Sequence, residues 1–371
     1  MVDALFPNPI FGAGFPRASQ ILKFLAAQDN TEIHFLALWE KRSIRKKRLV
    51  SLLPSNVQAT CNVNQVNLEK ILISKLVAAD ILWVSRFPIY KRIMDIREKY
   101  PESFSHIKII YDSECIETLR VQRQSAISGS PIPDSEFQQL LKNEMALALQ
   151  ADHVIAVSQS EREVFLTHGC ASVLVIGYQV NVTKVLKPAA GRIGLLFVGR
   201  LKDDGSPNVD SINWFAEQCF PELKRDGVVF HLVGAIAKSL SKKLQGVGFK
   251  VSGQIGDLQP VFDSARLFVA PTRFAAGIPI KLLDAAAAGL PIIATRLLCS
   301  QLGWGEDTDM LVADSEEEFI RKIKMMISNE AAWKSLQQNA HARVQQEYSD
   351  FAFQKSMGSM FDVLSGGDEE I

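Results

Sequence analysis

The residues best equipped for chemistry fall at two places in the second half of the chain. Arg200 follows the apolar run Ile193–Gly199, while Gly277, Ile278, Lys281 and Asp284 lie within RLFVAPTRFAAGIPIKLLDAAAAGLPIIAT, Arg266–Thr295. That stretch reads as a buried strand, a glycine turn, a short helix carrying one carboxylate, and a second buried strand. A strand that delivers a helix N-terminus to a glycine turn makes an anion site, because unpaired N–H groups and the helix dipole both point at the guest. An arginine fork grips phosphate oxygens in pairs. Gly277 lets the backbone approach closely, and Ile278 and Lys281 stand at the helix start with Pro279 in its first turn. Something phosphorylated is the expected ligand.

A second set lies in the first half. Gly12, Gly14 and Arg17 form a glycine turn opening a helix, Arg86 follows ILWVS, and Asp112 with Glu114 closes KIIYDSE. All fall at carboxyl ends of expected strands. Asp307-Thr308-Asp309 superficially matches a paired-aspartate metal motif, but its place in a late loop reads as a surface turn, and no metal site is expected. The basic run Lys41–Arg48, KRSIRKKR, reads first as a solvated helix face and second as a patch for anionic lipid.

Positioning these groups requires a scaffold, and the pattern of apolar runs supplies one. Strands are expected at Val2–Phe6, Glu32–Trp39, Val57–Asn62, Asp80–Ser85, Ile107–Asp112, His153–Ser158 and Val173–Tyr178. Helical periodicity lies between them at Arg17–Ala27, Leu68–Ala78, Tyr90–Lys99 and Glu136–Gln150. After a polar linker over 182–192 the alternation restarts, with strands at Ile193–Gly199, Val228–Val233, Phe249–Ser252, Arg266–Pro271 and Leu290–Thr295. Apolar runs alternating with helices are parallel strands covered on both faces. The fold expected is α/β, with two facing Rossmann-like doubly wound parallel sheets and a ligand cleft beyond the strands' carboxyl ends. The domains are 1–182, 193–348, and a tail helix, 349–371, crossing back to the first domain.

Composition limits the partners. Lys plus Arg equals Asp plus Glu at 41 each in 371 residues, so no global field draws the chain to nucleic acid. Cys61, Cys115, Cys170, Cys219 and Cys299 lack the close spacing of zinc or redox sites and fit a reducing, cytoplasmic compartment. Neither a signal-peptide core nor an apolar run of about 20 residues is present, so a soluble protein is expected.

Phe197-Val198-Gly199-Arg200, SPNVDSINWF, GQIGDLQPVFDSARLFVAPTRF, AAGIPIKLLDAAAAGLPIIAT and EYSDFAF together resemble the retaining glycosyltransferases of family 4, which have the GT-B fold. The resemblance covers most of the chain. It implies transfer of a sugar from a nucleotide-diphosphate donor to a glycan or lipid-linked acceptor in polysaccharide or glycoconjugate synthesis, without a cofactor or catalytic metal. It further implies a cytoplasmic location, at the inner face of the membrane if Lys41–Arg48 meets lipid.

In the family a glutamate precedes the glycine turn and a second, eight positions on, holds the donor ribose. The second position is Asp284 here; the first is Ala276. A family lysine just past the arginine is also missing, since Lys202 comes too early, whereas Lys281 falls where a subgroup places one. The resemblance therefore implies Arg200 and Lys281 as the phosphate clamp and catalytic pair. Gly199, Arg200, Gly234, Gly253, Gly277, Ile278, Lys281 and Asp284 would line the donor site. Gly12, Gly14, Arg17, Arg86, Asp112 and Glu114 would line the acceptor side, where no histidine follows Asp112 before His153 and the role of the family's histidine is unassigned. Two rivals are a non-catalytic scaffold subunit, suggested by Ala276, and a nucleotide-sugar epimerase of the same fold.

Overall fold

The structure, a computed structural model, describes residues 1–4, 6–7, 15–38, 53–60, 63–64 and 66–364. Gly12, Gly14 and the run Lys41–Arg48 lie outside the described residues.

The chain forms two compact units. The first contains 1–126, 130–178 and 353–371, and the second contains 127–129 and 179–352. In the first, seven strands pair in the order β3-β2-β1-β4-β5-β6-β7. They are β1 Val2–Asp3, β2 Ile33–Ala37, β3 Val57–Thr60, β4 Ile81–Ser85, β5 Lys108–Asp112, β6 His153–Ala156 and β7 Val173–Val175. In the second, six strands pair as β10-β9-β8-β11-β12-β13. These are β8 Leu195–Val198, β9 Phe230–Val233, β10 Lys250–Ser252, β11 Leu267–Ala270, β12 Ile292–Ala294 and β13 Leu311–Val312.

Every pairing is parallel. The α/β, doubly wound reading of each sheet therefore holds. Each sheet reverses its winding once, between β1 and β4 and between β8 and β11, and such reversals open a crevice at the carboxyl ends of the strands.

The sequence explains these sheets simply. ILWVS, KIIYD and HVIA place apolar side chains alternately on two faces, both covered by helices. Val84, Tyr111 and Ala156 join one core, while Trp83, Ile110 and Ile155 join the other. That second core is completed by Ile21 and Leu22 of the helix Phe15–Ala26 and by Phe353, Met357 and Met360 of the last helix, Asp350–Leu364. In the second unit Phe215, Phe220, Phe230 and Phe249 fill the core on one face.

Two expectations change in detail. The first strand stops at Asp3 because the Ala4 amide turns onto the Asp3 carboxylate, at 2.5 Å, and leaves the ladder. The helical periodicity of Glu316–Tyr348, which reads as one continuous helix, is divided between two helices, Glu316–Ser328 and Glu330–Tyr348. Asn329 lies between them in extended conformation, and its side chain accepts the Ala332 N–H at 3.0 Å as an N-cap.

Candidate functional site

The second unit gathers its candidates at the β8–β11 reversal. β8 ends at Val198, and the chain runs on through Gly199 and Arg200 beside the end of β9, with the Leu201 N–H donating to the Ala235 carbonyl at 2.8 Å. Gly234, at φ +137°, makes this approach possible: a Cβ there would lie 1.9 Å from the Gly199 carbonyl oxygen. A Cβ at Gly199 would itself meet the Phe197 ring at 2.8 Å and the Asn208 side chain at 3.0 Å. Gly253, after β10, is under no such constraint, with open space beside it.

Beyond β11 the chain turns at Gly277, φ +75°, and enters the helix Ile280–Ala287. Pro279 caps this helix rather than occupying its first turn. The amides at its start are also less available than the sequence predicts. The Ile280 N–H donates to the Ile278 carbonyl at 2.9 Å and the Leu282 N–H to the Pro279 carbonyl at 2.8 Å, because the turn folds tightly back on itself. Positive charge at this end therefore comes chiefly from a side chain.

That side chain is Lys281. Its ammonium donates to Asn208 Oδ1 at 2.8 Å and to Thr272 Oγ1 at 3.0 Å, and sits 4.8 Å from the centre of the Phe197 ring. Neither hydrogen-bond partner carries a negative charge. An ammonium has three N–H donors, so one remains without a partner among the described residues. Burial pushes the Lys281 pKa down to about 7.

One turn on, the side chain of half-buried Asp284 makes no hydrogen bond among the described residues, and burial pushes its carboxyl up to about 7. A cation lacking an anion and a carboxylate lacking donors thus stand on one helix at i, i+3 spacing.

Arg200 joins them through the backbone. Asn208 Nδ2 donates to the Arg200 carbonyl at 3.2 Å while Asn208 Oδ1 holds Lys281, so one amide ties the loop after β8 to the helix after β11. The Arg200 guanidinium is 45% exposed and pairs with Asp203 at 3.1 Å. It is thus a surface ion pair, the bland alternative to a phosphate-gripping arginine.

Asn208 and Thr272 are not among the residues singled out from sequence. Ser206 caps the helix Pro207–Gln218, and Asn208 follows in its first turn, where asparagine is a poor helix former. That mismatch was the available signal. Buried Thr272 is fixed from both sides, accepting from Ser211 Oγ at 3.2 Å and, through its carbonyl, from Thr295 Oγ1 at 2.6 Å.

The first unit places Arg17, Arg86, Asp112 and Glu114 in one cluster at the β1–β4 reversal. Buried Arg17 donates from Nη1 to both Asp112 oxygens, at 2.9 and 3.0 Å, and to Glu114 Oε1 at 3.3 Å. Its Nε donates to the Ile176 carbonyl at 2.8 Å. Arg86 Nε donates to Asp3 at 2.8 Å, with Glu114 Oε2 at 3.6 Å from Nη2 and the Phe15 ring 4.7 Å away. Arg86 and Glu114 both hold left-handed backbone, φ +75° and +58°, an uncommon conformation for side-chain-bearing residues.

Burial drives the Glu114 carboxyl up to about 7, against the pull of Arg86 and Arg17. Asp3 completes the cluster and was not foreseen, since a strand-end acid in a two-residue strand gives no hint of its partner. Arg86, with its side chain 21% exposed, is more open than Arg17 at 1%.

Asp307 and Asp309 are both engaged by neighbouring groups. Asp307 pairs with Lys322 at 2.7 Å, and Asp309 accepts the Gly305 N–H at 2.8 Å. Among the described residues no group of three or more His, Cys, Asp or Glu comes together to hold a metal ion. Among the same residues no helix is long and apolar enough to cross a membrane.

Residues 192–329 match the family described as Glycosyl transferases group 1. Solved structures similar over the whole chain include HepE of Anabaena (Alr3699) in complex with UDP and glucose, 14% identical, covering 98% of each chain with a TM-score of 0.68. Sucrose-phosphate synthase of Thermosynechococcus elongatus is 15% identical, covers 99% of each chain and has a TM-score of 0.70. The lipopolysaccharide outer core galactosyltransferase WaaB is 15% identical, covers 98% of each chain and has a TM-score of 0.62. Among curated proteins none matches the chain in sequence. The match to group 1 glycosyl transferases therefore falls within the second unit, and the fold of the whole chain is the GT-B fold of these solved structures.

Proposed function

We propose that the protein transfers a sugar from a nucleoside-diphosphate donor to a glycan or lipid-linked acceptor, with retention at the anomeric carbon and without a catalytic metal. The observation that carries this reading is Lys281. A half-buried ammonium whose polar partners among the described residues are all neutral stands at the sheet reversal of the unit that matches group 1 glycosyl transferases.

In the reaction the bond from the sugar carbon to the diphosphate oxygen breaks, a bond to the acceptor hydroxyl oxygen forms, and the hydroxyl proton passes to the departing phosphate. The negative charge that develops on the leaving group is stabilised by pre-placed cations. Lys281 offers its third N–H, and Arg200 swings from Asp203. Asp284, lacking donors of its own, accepts both ribose hydroxyls. Gly199, Gly234, Gly253, Gly277 and Ile278 provide the backbone wall. HepE, with the same fold, has been seen with UDP and with UDP-glucose, which supports a nucleotide sugar as donor.

On the first unit, Arg86 and Glu114 are the groups assigned to acceptor hydroxyls, with Arg17 and Asp112 bracing them and Gly12 and Gly14 completing that side. Lys41–Arg48 would add attraction to anionic lipid of about 1 kcal/mol per residue near a bilayer.

The test is incubation of the purified protein with a panel of nucleotide sugars and lipid-linked acceptors, with and without EDTA, followed by mass spectrometry. The expected result is a new glycoside in both conditions, its anomeric configuration matching the donor's by NMR. Failure to bind any nucleotide would overturn the reading in favour of a scaffold, and conversion of donor without acceptor would point to an epimerase.

A further inference from the structure

We propose that Asn208 is a positioning residue that pins the Lys281 ammonium to the loop after β8, so that a lysine from a distant helix serves as the pyrophosphate-gripping cation of that loop. This rests on the donor-site reading above.

The geometry is specific. Asn208 presents its two ends to two different elements, with Oδ1 2.8 Å from Lys281 Nζ and Nδ2 3.2 Å from the Arg200 carbonyl. Gly199 is packed against the same amide and against the Phe197 ring over which the ammonium lies. Lys281, Asn208 and the Gly199–Arg200 backbone are therefore one unit, and a shift of any one moves the others. Thr272, held by Ser211 and Thr295, closes the other side.

The charged groups on the surrounding elements leave the ammonium unneutralised. On the Pro207–Gln218 helix Asp210 is paired with Arg273, on the β8 loop Asp203 is paired with Arg200, and Asp284 on the lysine's own helix makes no bond to it. Burial is the sole cause of its lowered pKa, about 7. An amide is the fitting partner for such a cation: it orients the ammonium without satisfying its charge, which a carboxylate would do, leaving that charge for the ligand.

The experiment combines two readouts on Asn208→Ala and the nearly isosteric Asn208→Asp. The first is the titration midpoint of Lys281, followed by NMR in carbon-13 lysine-labelled protein and assigned with Lys281→Arg. The second is calorimetric affinity for uridine, adenosine and guanosine diphosphates against the matching nucleosides.

The alanine variant should lower the midpoint, and the aspartate should raise it by about one unit or more. Both should lose about tenfold or more in affinity for the diphosphate, with nucleoside affinity unchanged. A midpoint and a diphosphate-to-nucleoside ratio that stay at wild-type values in both variants would overturn the proposal. A wild-type protein that binds no nucleotide, with a midpoint that still follows Asn208, would instead bring down the donor-site reading and this proposal with it. Should the alanine variant unfold, the aspartate variant alone decides.

Discussion

At the scale of single residues, Lys281 and Asp284 make the second unit's stability depend on pH in opposite directions. Burial lowers the lysine from 10.5 to about 7, so between those values the unfolded chain holds the extra proton and stability rises with pH. Burial raises the aspartate from 3.8 to about 7, so over that range the folded state holds the extra proton and stability falls as pH rises. The ligand-free protein therefore has a dip near pH 7 from these two groups. Asp284→Asn should remove the falling limb and Lys281→Met the rising one, as read by urea denaturation from pH 4 to 10. Asp284→Asn should also weaken nucleotide binding about tenfold or more, since an amide cannot accept from both ribose hydroxyls as a carboxylate does, while its melting temperature at pH 8 stays at or above wild type. A variant that binds nucleotide as wild type does would remove the ribose role.

At the scale of elements, what could be read from sequence divides along physical lines. The strands were legible because a run such as ILWVS or LFVA, buried on both faces, is written in consecutive apolar residues. The helix Glu117–Ile127 was not, because only Thr118 of its eleven residues is buried and no apolar stripe marks it. Position alone marks candidates: Arg86, Asp112 and Glu114 at strand ends, and Arg17 at the opening of a helix. Their partnership through Asp3 could not be read this way, nor could the bridging by Asn208, because both depend on side chains meeting across elements far apart in sequence. Gly234 and Gly253 show the same limit. Both follow strands and looked equivalent, yet only Gly234 has a backbone oxygen where a Cβ would go. Gly234→Ala should destabilise the second unit by about 2–4 kcal/mol, within the range of severe backbone defects, whereas Gly253→Ala should stay within about 0.5 kcal/mol. Chemical denaturation of both variants is the check, and equal effects would mean that the β8–β9 approach is less tight than described.

At the scale of the whole molecule, the division of the chain makes its last segment decisive for its first unit. Phe353, Met357 and Met360 come after every residue of the second unit, yet they lie buried in a core with Ile21, Leu22, Phe35 and Ile155. Phe24 meets the Phe353 and Phe361 rings at 6.3 and 5.9 Å, so the helix Phe15–Ala26 is covered by the tail. Met357 is fully buried, and truncating such a side chain to alanine costs about 2–5 kcal/mol in lost transfer energy and cavity formation. A domain of this kind has a total stability of about 5–15 kcal/mol, so Met357→Ala with Phe353→Ala should bring the first unit close to unfolding. The second unit owes nothing in its core to those side chains, and it should keep its fold and the nucleotide affinity proposed for it. Hydrogen exchange read by mass spectrometry separates the two. Protection should be lost over β1, β2, β4 and β5 and retained over β8, β9, β11 and β12, and calorimetry should return wild-type nucleotide binding. Loss of protection in both sheets together would mean that the two units fold as one cooperative body, and that the tail secures the entire chain.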